Sequence, residues 1–373
     1  MKTVCITGSS GFFGQHLRRF LYAFRDSLRV IEIPRSFLNG QSSELVKSLN
    51  TCDVLVHLAG AHGANTGSEE EIFATNTRLA DVVTKACDSI VRTPHIIFAS
   101  SIQRGRDNAY GRSKLAVEEH FLVWGKKTGA PVSVLVIPHE FGEYGKPYQT
   151  TVVATFSHEI LNGKESRVNA DAEVHLIHAQ DVAKSIYELM KRPVLGIHTL
   201  SGRVLEIGEL HSLLRSFKRS YVDQDTVPHV TDAFEWSLFN SFRSHLANSD
   251  FYPRKLDRRS DPRGALYEIV REQSGGQVFV SNTRPGATRG EHYHARKLER
   301  FCVLHGQGTV RIRDILSDHI TEYQLVGGEP AFIDMPTFYT HSITNTGTSD
   351  LTTLFWTNEI FDPNDPDTYR VNV

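Results

Sequence analysis

The sequence predicts an α/β chain in which a doubly wound parallel sheet is followed by an all-β domain of antiparallel strands. Two patterns predict it. Over roughly the first 200 residues, short apolar strands alternate with helical stretches, as in a sheet covered by helices on both faces. Near residue 245 the alternation stops. Short strands broken by glycines follow with no good helix between them, which reads as an antiparallel barrel or jelly roll. For 373 residues, at about 100–200 per domain, two domains fit. The expected division is residues 1–244 and 253–373 with a linker at 245–252, where Asn248, Ser249 and Asp250, with Pro253 just beyond, carry turn chemistry.

The elements follow in order. Lys2–Thr7 is a buried strand, and Gly11–Phe24 a helix with Phe13, Leu17, Phe20, Leu21 and Phe24 at helical spacing. Arg29–Ile33 and Asp53–Leu58 are the second and third strands, Glu70–Cys87 a helix, and Pro94–Ser100 the fourth strand. Tyr110–Lys127 is a helix and Val132–Ile137 the fifth strand. In the C-terminal domain the expected strands are Gln277–Ser281, Phe301–Leu304, Gly308–Arg313, Ala331–Asp334, Ser342–Thr344 and Leu351–Thr357.

Composition narrows the function. Lys and Arg total 41 against 43 Asp and Glu, so no basic excess points to nucleic acid or a membrane surface. Four cysteines (Cys5, Cys52, Cys87, Cys302) form no regular pattern, which suits free thiols in a reducing cytoplasm. No secretory leader is read at the N-terminus, and no apolar run approaches the roughly 18 residues of a membrane span.

The first chemical signature is Thr7-Gly8-Ser9-Ser10-Gly11-Phe12-Phe13-Gly14, set between a strand and a helix. Such glycines permit a tight turn, a close backbone approach to pyrophosphate and helix–sheet packing. The helix N-terminus then offers its amides to the phosphates. Tyr110 and Lys114 lie one helical turn apart. An ammonium so placed favours the phenolate, and the tyrosine can then serve as a general acid.

The spacing of Gly8, Gly11 and Gly14 resembles the extended, sugar-nucleotide branch of the short-chain dehydrogenase/reductase superfamily, a Rossmann-type fold. Leu58-Ala59-Gly60, Asn76, Ser100-Ser101, Tyr110-Gly111-Arg112-Ser113-Lys114 and the segment from His175 to Ala183 are similar to its later marks. The resemblance implies Ser101, Tyr110 and Lys114 as catalytic residues, with Ser100 the rival to Ser101. It also implies a cofactor held by Gly8, Ser10, Gly11, Phe12, Phe13, Gly14, Leu58, Ala59, Gly60, Tyr110 and Lys114. Glu32 near the end of the second strand would suit NADH, but Arg35 at its tip suits a 2′-phosphate, so NADPH is expected.

The second signature is a ligand set. His292 and His294 fall on one side of a strand. Glu299 and His341 lie on other strands and can converge with them inside a small barrel. Three imidazoles and a carboxylate suit a divalent metal, zinc foremost. The run from Gly286 through His292, His294 and Glu299 to Gly306 resembles the first cupin motif, and Pro336, His341 and Asn345 resemble the second. Phe338 stands where that family usually has glycine. A metal-free cupin using the same histidines in acid–base roles is the competing reading. His62, His120 and His211 have no partner pattern and are expected at the surface.

The whole chain, including Trp356–Glu359 and Asp362–Tyr369, resembles a family of two-domain capsular and O-antigen polysaccharide enzymes. The resemblance implies a homodimer acting on a UDP-linked 4-keto-6-deoxy amino sugar. The cupin epimerises C3 and the reductase domain reduces the C4 ketone, in that order, because C3–H is acidic only beside a ketone. Tyr339 and His292 are candidate proton carriers. His139 and Val136 depart from the family pattern near the substrate, so the sugar can differ. The alternatives are a single-function reductase or epimerase with a structural cupin, and a non-enzymatic dinucleotide sensor.

Overall fold

The computed structural model describes residues 1–40, 43–62, 68–247, 250–256, 259–261, 264–266, 276–359 and 362–373. Asn248 and Ser249 of the expected linker lie outside the described residues. The helices are α1 (Phe12–Tyr22), α2 (Ser43–Asn50), α3 (Glu69–Asp88), α4 (Ala109–Thr128), α5 (Val152–Leu161), α6 (Ala179–Lys191), α7 (Ile207–Phe217) and α8 (Ala233–Ser244). The chain divides into two units, Met1–Gly142 with Asp171–Ile207, and Glu143–Ala170 with Gly208–Val373. The segment 245–252 lies inside the second unit.

The first unit contains β1 (Lys2–Thr7), β2 (Leu28–Ile33), β3 (Val54–His57), β4 (His95–Ser101), β5 (Val132–Ile137), β6 (His139–Phe141), β7 (Glu173–His178), β8 (Gly196–Thr199) and β9 (Arg203–Glu206). Its main sheet is parallel, in the order β2-β1-β3-β4-β5-β8. Strand periodicity sorts the side chains. Cys5, Leu55, Ile96, Phe98 and Val134 pack with Leu79, Val83, Val117 and Phe121 of α3 and α4. Ile6, Val56, Ile97 and Leu135 pack on the opposite face with Leu17, Leu21, Val182 and Ile186 of α1 and α6. Caps set the helix ends. Ser68 and Glu71 form a reciprocal capping box at α3, and α4 starts at Asn108 and stops at left-handed Gly129 (φ 75°). Strands β2 and β3 flank β1 on opposite sides, a switch in strand order at whose carboxyl ends such sheets bind ligands.

The second unit contains β10 (Arg254–Lys255), β11 (Arg259–Asp261), β12 (Gly264–Leu266), β13 (Gln277–Thr283), β14 (Thr288–Tyr293), β15 (Glu299–His305), β16 (Gln307–Asp314), β17 (Ile320–Val326), β18 (Ala331–Met335), β19 (Tyr339–Asn345), β20 (Leu351–Thr357) and β21 (Tyr369–Arg370). Two five-stranded sheets form, β10-β18-β15-β20-β13 and β17-β16-β19-β14-β21. Their pairings are antiparallel. Phe301, Val303, Val310, Ile312, Ile333, Ile343, Leu351 and Phe355 make their common core. The α8 helix belongs to this unit, and its polar residues bond the strands and loops of these sheets. Asn240 Nδ2 donates to Arg296 O (3.0 Å) and Arg243 Nη1 to Met335 O (3.3 Å). Strand β17 is absent from the sequence expectation, and the strand expected to carry both His292 and His294 ends at Tyr293, leaving His294 just beyond it. The β14 strand is polar and interrupted by a bulge at Glu291 (φ 58°), and β17 is an edge strand with only Leu325 buried.

Phe338 keeps the turn that glycine usually makes. It adopts φ 62°, donates its N–H to His294 O (2.8 Å), and is 1 % exposed. Phe338→Gly would relieve about 1–2 kcal/mol of left-handed strain but forfeit about 3–5 kcal/mol of ring burial. A net loss of about 2 kcal/mol in denaturant unfolding is expected. A variant more stable than the parent would show that backbone strain dominates.

Candidate active sites

The glycine loop has the shape of a phosphate cradle. A Cβ on Gly8 (φ 70°) would sit 2.7 Å from Ala59 N, and one on Gly14 would sit 2.3 Å from Gly8 O. Gly11 caps α1 without a side chain, so no cap competes for the first-turn amides, as an anion site requires. Thr7 Oγ1 accepts from Leu58 N and Ala59 N (both 3.2 Å) and lies 3.0 Å from His57 Nδ1. Burial, reinforced by the Lys114 charge, pushes the His57 pKa down to about 3. A neutral imidazole at the end of β3 therefore bonds Thr7 at the end of β1, beside the loop Leu58–Gly60. Asn76 ties this loop to α4 by accepting from Ala61 N (2.6 Å) and donating to Ser113 Oγ (2.8 Å).

Glu32 is turned to Arg18, at 2.7 Å, while Arg35 is exposed just beyond β2. Lys114 Nζ donates to Ala99 O (2.8 Å) and lies 5.6 Å from the Tyr110 ring centre. Ser100 is buried and donates to Glu118 (3.3 Å), which also pairs with Arg104 (2.9 Å). Ser101 Oγ accepts from Gln103 N (3.2 Å), which leaves its O–H to be donated elsewhere. The register of β4 with β5 places Ser101 beside Ile137.

Two residues beyond Ile137, the departure from the family pattern takes physical form. Val136 is simply a core residue of β5. His139 Nδ1 and Glu140 Oε1, however, are buried without a hydrogen-bond partner. Burial raises the Glu140 pKa to about 7, with the Lys114 charge opposing it. Sequence reading gave Glu140 no role; a carboxylate among Ile137, Pro138 and Phe141 was the available signal. An acid raised in this way costs stability as pH climbs from the unfolded value through about 7, because the unfolded chain ionises first. The side chain is partly exposed, so the cost is on the order of 1–2 kcal/mol. Glu140→Gln should raise the melting temperature more at pH 8 than at pH 5; an equal gain at both would refute the assignment.

In the second unit His292, His294, Glu299 and His341 converge, with one ligand atom from each within 4.8 Å of the others. Glu299 Oε2 is 3.8, 3.3 and 3.0 Å from the Nε2 atoms of His292, His294 and His341. A tetrahedral ion with bonds of about 2.0–2.1 Å needs ligand atoms about 3.4 Å apart, so the donor set fits zinc. The far nitrogens are engaged: His294 Nδ1 donates to Asp367 O (2.5 Å) and His341 Nδ1 to Tyr339 O (3.2 Å). A neutral ring bonded in this way carries its proton on Nδ1 and would present an unprotonated Nε2 to a cation at the centre. Burial opposes the Glu299 charge, yet the three imidazoles hold its pKa well below the usual range. Burial lowers His341 to about 4. Burial also opposes charge on His294, but Glu299 and Asp367 outweigh it and raise that pKa. Of the histidines expected at the surface, His62 is exposed. His120 instead bonds Thr84 Oγ1 (2.9 Å), and His211 packs edge-on against Phe156. Each helix places a neighbouring hydroxyl or ring within reach.

Residues 4–208 match the NAD dependent epimerase/dehydratase family, and residues 259–369 match the polysaccharide biosynthesis C-terminal domain. The chain belongs to the NAD dependent epimerase/dehydratase family, which implies a nicotinamide cofactor. Its likeness extends over the full length to particular proteins. A UDP-2-acetamido-2,6-beta-L-arabino-hexul-4-ose reductase of Pseudomonas aeruginosa is 32% identical, over 99% of this chain and 98% of its own. The crystal structure of the capsular polysaccharide assembling protein CapF from Staphylococcus aureus is 33% identical and covers 100% of both chains, with a TM-score of 0.61. The spore coat polysaccharide biosynthesis protein SpsL of Bacillus subtilis is 27% identical over 128 residues, 32% of this chain and 85% of its own. No helix among the described residues is long and apolar enough to cross a membrane.

Proposed function

We propose that the chain is a bifunctional nucleotide-sugar enzyme of surface-polysaccharide synthesis. Its C-terminal part, read as a cupin jelly roll, epimerises C3 of a UDP-2-acetamido-2,6-dideoxy-4-hexulose. Its N-terminal part reduces the C4 ketone with NADPH. The observation that carries the reading is that one chain holds both a Tyr110–Lys114 pair beside a glycine cradle and a His292–His294–Glu299–His341 cluster. The names of the Pseudomonas and Staphylococcus relatives support the substrate class.

When bound, NADPH would supply the hydride. Tyr110 gives its phenolic proton to the oxygen that becomes the C4 hydroxyl, and Ser101 donates a hydrogen bond to that oxygen. Lys114, fixed by Ala99 O, would hold the cofactor ribose and replenish the tyrosine proton. Arg35 would hold the 2′-phosphate. In the C-terminal part, His292, His294, Glu299 and His341 would hold a divalent cation, which supplies electrophilic stabilisation for the enolate formed when C3 loses its proton. Epimerisation precedes reduction because the ketone alone makes that C–H acidic. The deciding experiment offers UDP-4-keto-6-deoxy sugars with and without NADPH and follows C3 and C4 by NMR. Deuterium uptake at C3 without NADPH, and C4 reduction only with it, is the expected result. An inert protein under both conditions sinks the proposal.

A further inference from the structure

The C-terminal segment returns to the metal-ligand loop through one buried side chain. Asp367 is 2 % exposed and adopts a left-handed backbone, φ 41°, a region that few side chains other than Asp and Asn enter readily. The holding groups are on the loop that follows His294. The Asp367 carboxylate accepts from Ala295 N (3.0 Å), Arg296 N (3.0 Å) and Lys297 N (2.9 Å). Lys297 Nζ adds a bond to Pro366 O (2.7 Å). The Asp367 carbonyl then accepts from His294 Nδ1 at 2.5 Å. Two residues on, β21 pairs with β14, placing Arg370 opposite His292 and stacking Tyr369 on Tyr293 with ring centres 5.0 Å apart.

We propose that Asp367 is a positioning residue of the metal centre: its carboxylate clamps the 295–297 amides so that its carbonyl fixes the tautomer and aim of His294. A carbonyl can only accept, so the imidazole must carry its proton on Nδ1 and present Nε2 to the ion. The ligand ring is thereby locked from a residue 73 positions away. The inference rests on reading the four-residue cluster as a metal site.

The test measures Zn²⁺ affinity of the full-length protein by competition with a chromophoric chelator, alongside circular dichroism and melting of the metal-free forms. Partners of this kind change metal affinity by about 10–100-fold, so Asp367→Ala should weaken binding by about that much. Asp367→Asn keeps one acceptor oxygen and tolerates the left-handed backbone, so it should recover part of the loss. A residue that merely anchors the C-terminus would lower the melting temperature of the metal-free protein and leave zinc affinity unchanged. A folded Asp367→Ala with parental affinity overturns the proposal. If that variant does not fold, parental affinity in Asp367→Asn overturns it. A parent protein that binds no zinc removes the metal reading itself, and the inference falls with it; parental binding with unaltered variants removes the inference alone.

Discussion

Tyr110→Phe is expected to lower C4 reduction by about 10²–10⁴-fold while solvent deuterium still enters C3. The phenolic hydroxyl is the proton source for the developing alkoxide, and the phenyl ring retains the packing against Ala61, Ile72 and Ala109, so the protein should fold and bind cofactor normally. Lys114 keeps its bond to Ala99 O whichever ring stands at position 110, so an intact cofactor affinity would separate a chemical loss from a structural one. The measurement is NADPH oxidation by absorbance, paired with NMR at C3. Parallel loss of both activities would contradict independent chemistry in the two halves.

Removal of the metal ligands should have the converse effect. His341→Ala or exhaustive chelation is expected to abolish zinc binding and reduce C3 exchange to the solvent rate. Reduction of a substrate already epimerised at C3 should continue. His341 is fully buried, its Nε2 3.0 Å from Glu299. Without the facing imidazole or a cation, Glu299 becomes a buried carboxylate with fewer partners, a costly arrangement. Glu299→Gln provides a second route, because it removes the anionic ligand with little change in volume. Inductively coupled plasma analysis of bound metal and NMR exchange at C3 give the readouts. Full exchange in metal-free protein would favour the competing reading, in which the histidines act as acid–base groups alone.

The parallel half was largely legible in the sequence, because each buried strand is a short apolar run and each helix repeats its apolar positions every three or four residues. Lys2–Thr7 and Val132–Ile137 coincide with their observed bounds. The antiparallel half was legible where strands are buried, as in Leu351–Thr357. It was opaque at the bounds of β14, where polar ligands and the Glu291 bulge erase the alternation. Helix α5, with Val153, Phe156 and Ile160 buried, went unread. The α8 helix was missed as a partner of the second unit because the contacts that assign it, from Asn240 and Arg243, are polar and long-range.

Local spacing determined the residues that stay close along the chain: Gly8, Gly11 and Gly14 around one strand-to-helix turn, Tyr110 with Lys114 on one helical turn, and His292 with His294 at the end of β14. Their relation follows from the 3.6- and 2-residue periods of the backbone, which a chain carries before it folds. Only the tertiary structure decided which distant groups occupy the remaining valences. Glu118 takes the hydroxyl of Ser100, Arg18 takes the carboxylate of Glu32, and Asp367 returns to orient His294. Glu140 acquires its raised pKa in the same way, from burial that outweighs the opposing charge of Lys114 on a different element. These pairings depend on burial and through-space distance, which no repeat in the sequence encodes.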